Sequence, residues 1–314
     1  MSIGTNIHPD TDQHDVIFEN LGLVLRRSKD VPLSYKLDLY EDHDLPHPSN
    51  TLSAMRAGTK ITHALFGDRT RSRRVRHLAA DLARGGWPVA TELAGAYGRE
   101  LENLYGIEIR LDYFSAVEAS TAIHPFLVPL PCTQITILVL SGSRVQTVSV
   151  ALEALPNLIT ADITLEWNHF MNGLDEQAPD CPTMMTCLKT LSITVRERHY
   201  YPKCHFEVAS WILASITTPS LSQFSLCIEG GLGNGSAALG LEAASNLAQF
   251  FARSDPVNLR RVDITGLFPA AGLSREYGSI FDFLPKHVKD LLQRGHREGR
   301  RQAIKLTFSW RHRR

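Results

Sequence analysis

The sequence predicts an α/β chain in which short strands alternate with helices, each strand and helix together forming one copy of a repeated unit. Three observations predict it. An aliphatic pattern, L-x-x-L-x-L, returns along the chain, the stretches between its copies carry apolar residues at helical spacing, and proline-containing breaks stand just before several copies. A recurring period of this kind points to a stack of small units, each unable to close its apolar face alone.

The elements follow in chain order. Residues 1–12, polar and acidic, are expected to be disordered. From 13 to 27, Val16, Ile17, Leu21, Val24 and Leu25 fall at helical spacing, and Leu33, Tyr35, Leu37 and Leu39 then alternate as a strand. Residues 41–50 mix His and Pro with charges and read as a loop. The pattern itself then appears at Val75, Leu78 and Ala80, and in distorted form at Leu101 and Leu104 with Ile107 and Ile109 beyond. Further copies are Ile135, Leu138, Leu140; Leu158, Ala161, Ile163; Leu188, Leu191, Ile193; Leu221, Phe224, Leu226; and Leu259, Val262, Ile264.

Starts at 75, 101, 135, 158, 188, 221 and 259 give gaps of 26, 34, 23, 30, 33 and 38 residues. Each copy alternates with period 2, as a half-buried strand does. Between copies, Val145, Val148, Leu152 and Leu155 share a helical face, as do Phe206, Ala209, Ile212, Leu213 and Ile216, and Leu241, Ala244, Leu247, Ala248 and Phe251. Pro156-Asn157, Pro219-Ser220 and Pro256-Val257-Asn258 each precede a copy, where proline disfavours helix in the residue before it and ends the run. Near the C-terminus Ile280–Leu292 is a further helix and Ile304, Leu306, Phe308 and Trp310 a last strand.

The expected architecture is therefore a leucine-rich-repeat solenoid of about seven or eight irregular β-α units, a curved horseshoe with a parallel sheet on its concave face. It occupies residues 13–310 as a single domain, with 311–314 a basic tail. Most gaps exceed the usual period of about 20–29 residues, so insertions are expected in particular loops.

Composition bounds the function. Thirty-three Lys and Arg balance 33 Asp and Glu, so no global field draws the chain to nucleic acid or an anionic membrane. Five cysteines without a CxxC pair suit a reducing compartment. The N-terminus lacks the basic-then-apolar order of a signal peptide, and no run of about 18 apolar residues occurs. Cytoplasm or nucleus is the expected location, with no membrane partner.

Leu21–Leu39 (LGLVLRRSKDVPLSYKLDL) and Ile135–Leu165 (ITILVLSGSRVQTVSVALEALPNLITADITL) resemble the F-box/leucine-rich-repeat proteins of mushroom-forming fungi, and Leu188–Val195 with Pro219–Leu226 is similar. The resemblance spans about residues 15–310 and implies the same repeat fold. In that family a Leu-Pro-initiated F-box docks on a ubiquitin-ligase adaptor and the repeats recognise substrate. No such opening is found before the helix at 13–27, so an adaptor is an expected partner only if an F-box lies upstream. The alternative is a stand-alone repeat protein unconnected to ubiquitination, and behind it an enzyme of unrecognised type.

Several clusters suggest chemistry, and each has a plainer reading. Gly230–Ser236 (GGLGNGS) follows a strand and opens a helix, where glycine loops bind pyrophosphate, yet Ser236 stands where G-x-G-x-x-G needs its last glycine, so a turn is the better reading. His43, His47, His199, Cys204 and His205 lack the paired spacings of a zinc site. Cys132, Cys181 and Cys187 lie near Pro or in loops, and Cys227 lies in a strand, where burial as a small hydrophobe is expected. The arginines at 69, 71, 73, 74 and 76, and those at 294, 297, 300, 301, 311, 313 and 314, read as solvated faces, without interleaved aromatics for base stacking. No catalytic, cofactor-binding or metal-ligating residue is expected, and nucleic acid is not the expected partner. The expected site is a protein-binding strand face at Thr136, Val139, Thr160, Asp162, Thr190, Ser192, Gln223, Ser225, Arg260 and Asp263.

Overall fold

The computed structural model describes residues 2–6, 31–39, 69–82, 86–111, 113–167, 182–197, 205–229, 237–265 and 305–309, with Leu23, Leu25, Arg27 and Lys286. The expected single domain over 13–310 divides into two compact units, Met1–Leu155 and Pro156–Arg314. Both are α/β, with parallel strands that pair in chain order.

In the first unit the strands are β1 (Ser2–Asn6), β2 (Leu33–Leu39), β3 (Val75–Leu82), β4 (Gly106–Leu111) and β5 (Ile137–Ser143), each hydrogen-bonded in parallel to the next. A helix follows each of the last three: α1 (Gly86–Tyr97), α2 (Tyr113–Leu127) and α3 (Val145–Ala154). Strand β1 lies within the stretch 1–12 expected to be disordered, of which Ser2–Asn6 are described. Its pairing of Ser2 with Ser34 through Asn6 with Asp38 uses main-chain groups, which the edge of β2 offers whatever the side chains.

The core of this unit lies between the inner faces of β2–β5 and the helices. Tyr35, Leu78, Ile107 and Leu138 form one buried row across the sheet, with Ala80, Ile109 and Leu140 the next. Trp87 of α1 meets Phe126 of α2 edge-on, ring centroids 6.0 Å apart. The apolar spacing does not predict α1 and α2. Helix α1 buries Trp87 with the small Ala90 and Ala94, a weak apolar signal, whereas α2 buries Ala119, Ile123, Phe126 and Leu127, with Pro125 standing inside the helix.

The second unit repeats the plan with β6 (Thr160–Trp167), β8 (Thr190–Glu197), β10 (Gln223–Glu229), β11 (Arg261–Thr265) and β12 (Lys305–Ser309), again parallel in that order. Helices α4 (His205–Ser215) and α5 (Ala237–Ser254) cover it. A second small sheet pairs β7 (Thr183–Met184) with β9 (Ile216–Thr217). Ile216, expected in the last turn of α4, instead opens β9 while remaining buried. Phe224 of β10 packs between Phe250 and Phe251 of α5, with centroids at 5.6 and 5.3 Å.

The repeat is visible in main-chain hydrogen bonds as well as in side chains. Before each of five strands a turn closes on the first aliphatic of the pattern: Leu104 N to Leu101 O, Ile135 N to Cys132 O, Leu188 N to Met185 O, Leu221 N to Thr218 O and Leu259 N to Pro256 O. One carbonyl then accepts two successive amides of the next strand. Tyr105 O takes Thr136 and Ile137, Ile159 O takes Lys189 and Thr190, Lys189 O takes Ser222 and Gln223, and Ser222 O takes Arg260 and Arg261, all at 2.8–3.1 Å.

This geometry resets one copy of the pattern. Its start is Leu104, not Leu101, because Leu104, Ile107 and Ile109 satisfy L-x-x-L-x-L without distortion and all three are fully buried. The units on either side then run 29 and 31 residues, from starts at 75, 104 and 135. The expected helix at 13–27 and loop at 41–50, the glycine loop at 230–236 and the helix at 280–292 lie outside the described residues, apart from helical Leu23, Leu25 and Arg27 and the lone Lys286.

Candidate functional site

Parallel, in-register strands place residues of like position side by side, so the face turned away from the helices is a set of rows. In the second unit the first row is Thr160, Thr190, Gln223 and Arg261, and the second is Asp162, Ser192, Ser225 and Asp263. A third row holds Thr164, Thr194 and Cys227. The alternate residues, Ala161, Leu191, Phe224 and Val262 and then Ile163, Ile193, Leu226 and Ile264, are buried. The strict alternation fixes which side chains a partner can touch, since a slip of one residue would turn the whole core outward.

In the first unit the corresponding rows are Ser34, His77, Gly106 and Ile137, and Lys36, Ala79, Glu108 and Val139. Beyond these, Arg110 stands beside Asp81 and Ser141. The charges close on one another: Lys36 Nζ lies 3.7 Å from Asp81 Oδ2, and Arg110 Nη2 lies 2.6 Å from Glu108 Oε1. On β11 of the second unit, Arg261 Nε donates to Asp263 Oδ2. Such pairs, two residues apart on one strand for Arg110–Glu108 and Arg261–Asp263 and across neighbouring strands for Lys36–Asp81, leave each face without a dominant sign.

Of the residues singled out from the sequence, Thr160, Asp162, Thr190, Ser192, Gln223, Ser225 and Asp263 lie in these second-unit rows and Val139 in a first-unit row, each half-buried or exposed. Thr136 and Arg260 stand one residue before β5 and β11, and the residues in register are Ile137 and Arg261. Parity identifies them: 136 with 139, or 260 with 263, are three apart and cannot share one face of a strand, whereas 137 with 139 and 261 with 263 can. Thr164, Thr194, Glu108 and Arg110 complete the rows and follow from the same rule.

Other candidates resolve locally. Cys227, expected to be buried, is half-buried in the outer row, because it falls at an odd position of β10. Cys132 donates its thiol proton to Leu127 O at 3.1 Å, and burial pushes its pKa up. The arginines of 69–76 are engaged in structure: Arg73 pairs with Glu102 at 3.0 Å, Arg74 donates to Val31 O at 2.9 Å, and Asn103 O accepts from Arg76 at 3.5 Å. His43, His47, His199, Cys204 and Cys181 lie outside the described residues.

Among the described residues no group of three His, Cys, Asp or Glu side chains converges on a point where a metal could sit, and no helix is long and apolar enough to cross a membrane. A small apolar recess in the first unit, lined by Tyr35, Leu78, Ala90, Ala94, Leu101 and Phe126, lies under α1 and α2. The chain matches no family model, no curated protein and no solved structure.

Proposed function

We propose that the chain is a leucine-rich-repeat protein whose outward strand rows bind another protein, and that it acts by recognition without catalysis. The observation that carries this reading is the in-register face of short hydroxyl and amide side chains, Thr160, Thr190 and Gln223 over Asp162, Ser192 and Ser225, flanked by charges that neutralise one another. Such a face is rigid, because every residue on it is held by the ladder. Its Ser and Thr hydroxyls offer hydrogen-bond donors and acceptors on short side chains. The recurring turn, buried aliphatic and forked carbonyl support the assignment to leucine-rich repeats.

The resemblance to F-box/leucine-rich-repeat proteins makes substrate recognition within a ubiquitin ligase the first role proposed, and stand-alone binding the second. Affinity capture with the full chain, followed by cross-linking, tests both. The expected result is a partner cross-linked to residues bordering the strand rows and lost on the double substitution S192R/S225R, with the circular dichroism spectrum unchanged. A partner retained by that variant as tightly as by the wild type overturns the face assignment. Recovery of a ligase adaptor supports the first role, and a partner without adaptor supports the second.

A further inference from the structure

We infer that the turn joining β5 to α3 is a binding site for a small oxyanion, a phosphate or phosphomonoester group. Strand β5 ends in Ser141-Gly142-Ser143, and Arg144 alone joins it to the ten-residue helix α3. Gly142 sits at φ +76°, and a Cβ there would meet Leu111 O at 2.2 Å, so the backbone makes a bend open only to glycine. That bend brings the chain from the C-terminal end of a parallel strand directly onto a helix N-terminus.

Several polar groups here lack a partner among the described residues. Arg144 is the N-cap of α3, yet its side chain makes no capping bond, and Val148 N to Arg144 O is the first hydrogen bond of the helix. The amides of Val145, Gln146 and Thr147 precede that bond and have no intrahelical acceptor. Ser143 Oγ and Thr147 Oγ1 are buried, with 1% and 0% of their residues exposed, and neither has a hydrogen-bond partner. Thr147 is the third helical residue, and the Cα–Cβ bonds of a helix tilt toward its N-terminus, so its side chain leans back along the first turn. Arg144 Nε is likewise buried and unpartnered, although the residue as a whole is half-buried.

Charge makes the case sharper. A cation at a helix N-terminus stands at the positive end of the helix dipole, where it is disfavoured, and among the described residues no carboxylate pairs with Arg144. Helix amides, two hydroxyls and a guanidinium, all able to donate, fall within residues 143–147, and a tetrahedral dianion is the kind of group that accepts from such donors. The site is distinct from the strand rows and does not depend on their function.

The test is titration of the isotope-labelled full chain with inorganic phosphate and, in parallel, with O-phosphoserine, against sodium chloride at matched ionic strength. Saturable amide shifts confined to residues 142–148 are expected. The tighter of the two ligands identifies whether the free ion or an ester is held. R144Q should weaken binding about tenfold or more, and T147V by a smaller factor, while R73Q, whose native guanidinium pairs with Glu102, should change nothing. Shifts that fail to saturate, that chloride reproduces, or that persist undiminished in R144Q overturn the site.

Discussion

Arg253, in the last turn of α5, donates from Nη2 to the carbonyl of Ile216 at 3.0 Å, and from the same nitrogen to Leu213 O. Its Nε reaches Thr217 Oγ1 at 3.3 Å. One guanidinium therefore satisfies carbonyls at the end of the neighbouring helix α4, a role that the fixed fork of arginine performs and a lysine cannot. Next to it Ser254 Oγ accepts Thr218 N at 3.1 Å. R253M is expected to lower stability by about 1–3 kcal/mol and R253K by somewhat less, read as a fall in the urea midpoint at constant slope.

The three rings of Phe224, Phe250 and Phe251 lie within 5.2–5.6 Å of one another, and all three are fully buried. F251A should cost about 3–5 kcal/mol, because removal of the ring leaves a cavity that β10 and α5 cannot both collapse to fill. F251L should cost less than half as much. Equal losses for the two would show that the site relaxes freely.

Two glycines predict opposite signs. G142A forces a Cβ into Leu111 O at a left-handed backbone position and is expected to lose at least about 2 kcal/mol. Gly95 lies inside α1, and a Cβ added there would meet nothing within 4 Å, so G95A is expected to gain about 0.5–1 kcal/mol from helix propensity alone. Thermal unfolding of the pair measures both.

Cys132 titrates above its ordinary value of 9.0 because burial disfavours the thiolate, against a smaller opposing effect of its backbone hydrogen bond. A thiol whose folded pKa is raised holds its proton more tightly when folded. The resulting stability is fully present below the unfolded pKa and is lost as pH rises through the folded one. Iodoacetamide should therefore modify Cys132 more slowly in the folded chain than in urea at pH 8–9, and its reactivity midpoint should lie above 9.0. A folded midpoint below that value would contradict the burial.

Much of the strand system is legible because burial on one face writes period 2 into the sequence. Leu33–Leu39 is readable to its boundaries, and the copies at 135, 158, 188, 221 and 259 each lead into a strand. Helix α1 is hard to read because the small Ala90 and Ala94 carry most of its inner face, and α2, which does bury Ile123, Phe126 and Leu127 at helical spacing, is obscured by Pro125, a residue that ordinarily breaks a helix. The register of Arg261 and Ile137 is missed when strand positions are taken from the pattern alone, although parity gives both. The unpartnered Ser143 and Thr147 have no signature at all: their burial is set by how β4, β5 and α3 meet, which no local pattern encodes.

The forked carbonyls have a consequence for how such a chain can change. Tyr105, Ile159, Lys189 and Ser222 each set the start of the next strand from the previous one, and the distance along the chain between fork and acceptor strand runs from 30 to 38 residues without altering the pairing. The grid of side chains thus keeps a fixed pitch within each unit, about 4.8 Å across strands and about 6.6 Å between alternate residues, however long the intervening segments grow. Loops can lengthen, shorten or be exchanged while every grid point stays where it was, and recognition can be rewritten one grid point at a time.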